Sequence, residues 1–179
     1  MKMLRWGEWT GHGLQHVELG DEHGWFTADA VVIASDPAMF GATFRIVADE
    51  AWLVRRVEVT VSGGPSVLLE SDGRGNWERD GQPVAHLAGA LEPDISATPL
   101  TNSFPVRRLR LGKGESAEIR TAYVELPSLD LFADGQRYTC LEEGRRYLYE
   151  SLDSDFRAEL AFDASGFVMD YPGLFRRLA

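Results

Sequence analysis

Residues 94–109 read DISATPLTNSFPVRRL and are unlike the rest of the chain. On either side, apolar and polar residues alternate between glycine and proline breaks, the period-2 pattern of strands with one face in and one face out. Here two prolines, a run of small hydroxyl and amide side chains and paired arginines interrupt that pattern. Thr98 suits the N-cap of a helix whose first position is Pro99. Pro105 would then fall inside that helix and kink or end it. A start at Ser103 or Phe104 instead puts Pro105 near the first turn, with Val106 and Leu109 on one face. Both registers predict a helix within residues 98–109, with the sheet arranged around it.

Working outward, residues 13–19, 26–34, 42–48, 52–62, 66–71 and 76–79 read as strands. Residues 82–88 continue the series. Residues 26–34 end in a continuous apolar run, as a strand buried on both faces would. In 52–62, Val57, Val59 and Val61 share one face and Glu58, Thr60 and Ser62 the other. Gly63-Gly64-Pro65 and Asp72-Gly73-Arg74-Gly75 are turns, and Asp80-Gly81 is a hairpin signal. Beyond the helical stretch come strands at 116–126, 136–141, 145–150, 156–162 and 167–171. Phe156, Ala158, Leu160 and Phe162 fall on one face of theirs. The terminal LFRRL reads as one helical turn. Turn signals spaced about 8–12 residues apart mark a meandering antiparallel sheet. The expectation is a mainly β, single domain over residues 1–179.

At 179 residues, 44% hydrophobic and 26% charged, the chain can bury a full core without disulfides. Its one cysteine, Cys140, excludes an intrachain disulfide framework and reads as an inert core thiol beside Tyr138. Lys+Arg of 18 against Asp+Glu of 28 gives a net charge of −10, which disfavours nucleic acid and anionic membrane surfaces as partners. The first residues carry no continuous apolar run before Gly7, and no run of about 18 apolar residues occurs anywhere. A cytoplasmic protein without membrane insertion is expected.

Few constellations carry chemistry. His12 and His16 have metal-ligand spacing only on a helix, which Gly11 and Gly13 disfavour. On a strand they stand roughly 13 Å apart, so no metal site is expected. The Asp72–Asn76 segment lacks the central glycine of a calcium loop, because Trp77 stands there. No nucleotide-binding glycine loop or nucleophile elbow is present, and no cofactor is expected. Carboxylate pairs such as Asp72 and Asp94 would suit a hydrolase acting on sugars, given the right separation. Arg107 and Arg108 point about 100° apart on a helix; one is expected to pair with an acid such as Asp94, leaving the other to solvent or a pocket. Thr98, Thr101 and Asn102 are helix-capping residues that also suit sugar hydroxyls. The five tryptophans and five tyrosines fill a sheet core or line a cavity.

The chain resembles the family named "Putative glycolipid-binding", formerly a domain of unknown function, whose fold is a spiral β-roll. The resemblance rests on Asp94-Ile95, Thr98-Pro99, Thr101-Asn102, Pro105 and Arg107-Arg108-Leu109. Ser71-Asp72-Gly73 with Gly75 and Trp77, Trp52 with Arg55, Gln136-Arg137-Tyr138-Thr139, Tyr147 with Tyr149-Glu150-Ser151, and Tyr171-Pro172 with Phe175-Arg176-Arg177 reinforce it. It implies a many-stranded, strongly curved antiparallel sheet wrapped around a single α-helix, two subunits in a tight homodimer, and a glycolipid or lipid-like ligand. It carries over no catalytic residues. Thr98, Thr101, Asn102, Arg107, Arg108, Trp52, Arg55, Trp77, Tyr138 and Tyr149 are the candidate ligand contacts. A binding protein is the leading reading, beside a carbohydrate-active hydrolase using paired carboxylates and a purely structural dimeric interaction protein.

Overall fold

The computed structural model describes residues 2–178. The first eight strands are β1 (Lys2–Glu8), β2 (Leu14–Glu22), β3 (Trp25–Ala34), β4 (Phe40–Ala48), β5 (Val54–Val61), β6 (Ser66–Ser71), β7 (Trp77–Arg79) and β8 (Gln82–Pro83). After β9 (Glu92–Ile95) come the helix α1 (Ser103–Leu109) and the strands β10 (Ser116–Val124), β11 (Leu131–Glu142), β12 (Arg146–Ser151) and β13 (Arg157–Ala161). Two short strands, β14 (Asp170–Tyr171) and β15 (Phe175–Arg177), complete the series. They form a 10-stranded sheet in the order β14-β15-β1-β2-β3-β4-β5-β6-β7-β8 and a 5-stranded sheet in the order β13-β12-β11-β10-β9. The molecule is a curled, mainly β roll around one short helix.

Alternation does most of the work. Val57, Val59 and Val61 are buried, as are Leu4 and Trp6 on β1, Val17 and Leu19 on β2, and Phe44 and Ile46 on β4. The Asp80-Gly81 hairpin holds both residues in the left-handed region (φ 50° and 77°), as a two-residue turn of matching twist demands. Gly75 has φ 91°, and a Cβ there would stand 2.8 Å from the Gly89 Cα, so the backbone itself packs where a side chain would be.

Both helical readings of residues 98–109 hold at once. Pro99–Asn102 forms a 3₁₀ turn capped by Thr98, whose hydroxyl accepts from the Leu100 N–H at 3.1 Å. The chain then continues into α1, where Pro105 sits in the first turn and withholds an N–H that has no helical partner there. Arg110, at φ 48°, closes the other end by donating its N–H to the Val106 carbonyl. Phe104 and Val106, about 200° apart on a helix, enter two different hydrophobic clusters, one against the large sheet and one against the small.

Several expectations are corrected. Residues 26–34 are not buried on both faces: Ala28, Ala30 and Val32 point in, whereas Val31 and Ile33 are 51% and 59% exposed on the open side of the sheet. Residues 82–88 give only the two-residue β8 and a 3₁₀ turn at Ala85–Leu87. The terminal LFRRL is a strand rather than a helical turn, because β15 supplies the hydrogen-bonding edge that β1 needs. β1 itself was hidden inside a terminus read only for targeting signals. One pairing is parallel, β9 with β10. Parallel neighbours need a crossover, and the segment carrying α1 provides it.

A candidate ligand-binding basin

The small sheet presents one face on which polar and aromatic residues alternate with strand period. Register places Asp94 beside Tyr123, Tyr123 beside Phe132, and Tyr138 beside Tyr149. Gln136 and Asp134 lie on the same face of β11 as Tyr138, because they are two and four residues away. Thr101 donates to Asp94 Oδ1 at 2.9 Å, and the Gln136 amide donates to Asp94 Oδ2 at 2.7 Å. The same amide nitrogen reaches Asp134 Oδ2 at 2.9 Å. Two carboxylate oxygens therefore stand no further apart than those two hydrogen bonds laid end to end. Behind them Asn102 Nδ2 donates to the Tyr138 hydroxyl at 2.9 Å, which leans on Gln136 Oε1 at 3.3 Å.

Asp94, Asn102 and Asp134 line a cavity of about 420 Å³ whose walls also include Asp153, Ser151, Tyr149, Phe156 and Tyr171. Burial pushes the Asp94 carboxyl up to about 6, and the nearby Asp134 charge adds to this against the Gln136 and Thr101 hydrogen bonds. Burial likewise raises Asp134, with Asp153 adding to it. The Tyr123, Tyr149 and Tyr171 hydroxyls are held neutral by burial first and by the Asp94 charge further down.

A second cavity of about 310 Å³ runs between the small sheet and the loops at one end of the large one. Trp9, Val32, Ile33, Pro37, Phe40 and Leu126 give it mostly apolar walls. Three carboxylates, Glu8, Asp36 and Glu125, also line it; Glu8 is occupied, accepting from the Gly13 N–H and Ser35 N–H, each at 2.8 Å. Ser96, Tyr123, Leu174 and Phe175 belong to the walls of both cavities, so the two adjoin.

Of the sequence candidates, Thr98, Asn102 and Tyr149 line the basin. Thr101 and the fully buried Tyr138 stand behind it and hold its polar groups in place. The others lie elsewhere. Arg107 stacks on Trp52 and Phe167, 3.8 and 4.3 Å from the ring centroids, and donates to the Ser165 carbonyl. Trp52 takes a left-handed backbone (φ 65°) that this stacking and its contact with Phe26 hold in place. Arg55 pairs with Asp49 at 3.1 Å, and Trp77 is a core residue whose indole donates to the Ala90 carbonyl. Arg108 pairs with the fully buried Glu92, not with Asp94, whose oxygens already accept from Thr101 and Gln136. Asp72 is no partner for Asp94 either: it closes its own turn by accepting from Arg74 and Asn76. The acid beside Asp94 is Asp134, which sequence reasoning missed by starting β11 at Gln136. Extending the alternation back from Tyr138 through Gln136 finds Asp134 and Phe132.

A mainly β roll closed around one short helix, with an acidic, ring-walled basin opening into an apolar cleft, defines a β-roll protein with a built cavity. The chain belongs to the family described as "Putative glycolipid-binding", whose model matches residues 3–177. It is also similar to a crystal structure of a DUF1089 family protein from Pseudomonas aeruginosa, at 36% identity, 92% coverage of each chain and a TM-score of 0.78. No curated protein matches it.

Proposed function

We propose that the protein binds a single amphiphile, a glycolipid or lipid-like molecule, with its polar head in the acidic basin and its tail in the apolar cleft. The adjoining of the two cavities through Ser96, Tyr123, Leu174 and Phe175 carries this reading. Each cavity has the size of a small-ligand site, and both combine acids with apolar walls, so that together they can take a head and a tail. The family description points the same way. Native mass spectrometry of the protein with alkyl glucosides of increasing chain length tests it. A one-to-one adduct that strengthens with chain length is expected, and Leu174→Trp, which narrows the junction, should remove that dependence. Affinity independent of chain length would overturn the reading.

The close carboxylates Asp94 and Asp134 favour one second reading, hydrolysis of a sugar conjugate. It requires turnover of an aryl glycoside that Asp94→Asn abolishes. In the binding reading the protein is a cytoplasmic homodimer. The exposed apolar strip of Leu14, Val31 and Ile33 on neighbouring strands supports the pairing, and the lone thiol of Cys140 suits the compartment. Light scattering on the purified chain measures the assembly. No helix among the described residues is long and apolar enough to cross a membrane.

A further inference from the structure

Many acids on the sheets are met by arginines. Arg45 reaches Asp29 and Glu22, Arg56 reaches Glu58 and Glu70, and Arg137 reaches Glu118 and Glu150. The basin lacks that partner. Asp94, Asp134 and Asp153 line it, and no lysine or arginine does. Gln136 and Thr101 give Asp94 hydrogen bonds but no charge. A positive charge is the complement this cavity lacks, and a neutral sugar would leave that need unmet.

The walls say which kind. Tyr149, Phe156 and Tyr171 form a three-ring wall with centroid separations of 6.0 to 6.1 Å. Tyr149 and Tyr171 are each 6% exposed. Their hydroxyls meet each other on the cavity wall. Ring faces attract organic cations through their quadrupole and gain most when the cation is desolvated. Among the described residues, no group of three or more His, Cys, Asp or Glu is arranged to hold a metal ion, which turns the choice toward an organic cation.

We infer that the basin recognises the cationic nitrogen of an alkylammonium amphiphile, its charge against Asp94, Asp134 and Asp153 and its alkyl groups against the aromatic wall. This rests on the amphiphile reading above and names the head group. An amino-sugar lipid and a choline- or ethanolamine-type lipid both supply that nitrogen.

Calorimetry below the micelle concentration tests it with three probes of equal tail: dodecyltrimethylammonium, dodecyl glucosaminide and dodecyl glucoside. Both cationic probes should bind at least about tenfold tighter than the glucoside. The more tightly bound of the two indicates which lipid class supplies the nitrogen. Asp134→Asn combined with Asp153→Asn should weaken the cationic probes by about tenfold more than the glucoside. Ser154→Lys, at an exposed wall position, brings in a competing ammonium and should weaken the cationic probes more than the glucoside. A glucoside that binds as tightly as the cations, or variants that affect all three probes alike, would overturn the inference while leaving amphiphile binding intact. Binding of none of the three overturns both.

Discussion

β9 holds two acids two residues apart on one face, and they live in opposite circumstances. Glu92 is fully buried, with one oxygen on Arg108 and the other without a hydrogen-bond partner. Burial raises its carboxyl and Arg108 pulls it back. Asp94 is half-buried and has both oxygens hydrogen-bonded, yet only to a neutral amide and a hydroxyl. A buried acid with a cation beside it is part of the frame. A half-buried acid hydrogen-bonded but left without a cation can still meet something from outside, and it is there that function is sought.

The largest expected effect comes from breaking the Glu92 end. Arg108→Met leaves a buried carboxylate without its cation and should lower the unfolding free energy by about 3 kcal/mol, read from denaturant midpoints. A loss close to zero would show the ion pair to be dispensable and erase the contrast.

Asp94→Asn should instead change how stability responds to pH. The folded carboxyl holds its proton up to about 6 against an ordinary value of 3.8. Its stabilising contribution is therefore complete below the unfolded value and is lost as pH rises through the folded one. Relative to the Asn variant, the wild type should lose about 2 kcal/mol over that window. Parallel stability curves for the two proteins would mean that Asp94 is not held protonated. Tyr138→Phe takes away the acceptor of Asn102 and should cost about 1.5 kcal/mol, with the basin's affinity reduced as Gln136 loosens. The smallest effect is that of Thr98→Ala, about 1 kcal/mol for a lost cap, detectable as a lower melting temperature.

Much of the frame was legible because alternation is local. Val57 to Val61, the Asp80-Gly81 hairpin and the inward pair Leu160 and Phe162 need only their own sequence. The helix was legible in both its registers because Thr98-Pro99 and Ser103–Pro105 each carry a start signal, and the chain uses one for a 3₁₀ turn and the other for α1. The basin was only half legible. Asn102 and Tyr149 stand out by residue type, but Asp134 joins them through register, and register across β10, β11 and β9 is a property of pairing. Arg108 finding Glu92 rather than Asp94 is of the same kind. The parallel β9 could not be read from any single stretch, since it depends on where the crossover lands.

The pairing of Trp6 with Arg177 has a consequence in time. β1 and the strand that completes its edge lie far apart in the sequence. Until β15 pairs, Leu174 and Phe175, which wall both cavities, are missing from the junction. Contacts this distant in sequence slow folding. A folding chain therefore keeps an unpaired edge and an open basin until a late step. Binding competence should appear abruptly, when β1 and β15 zip together.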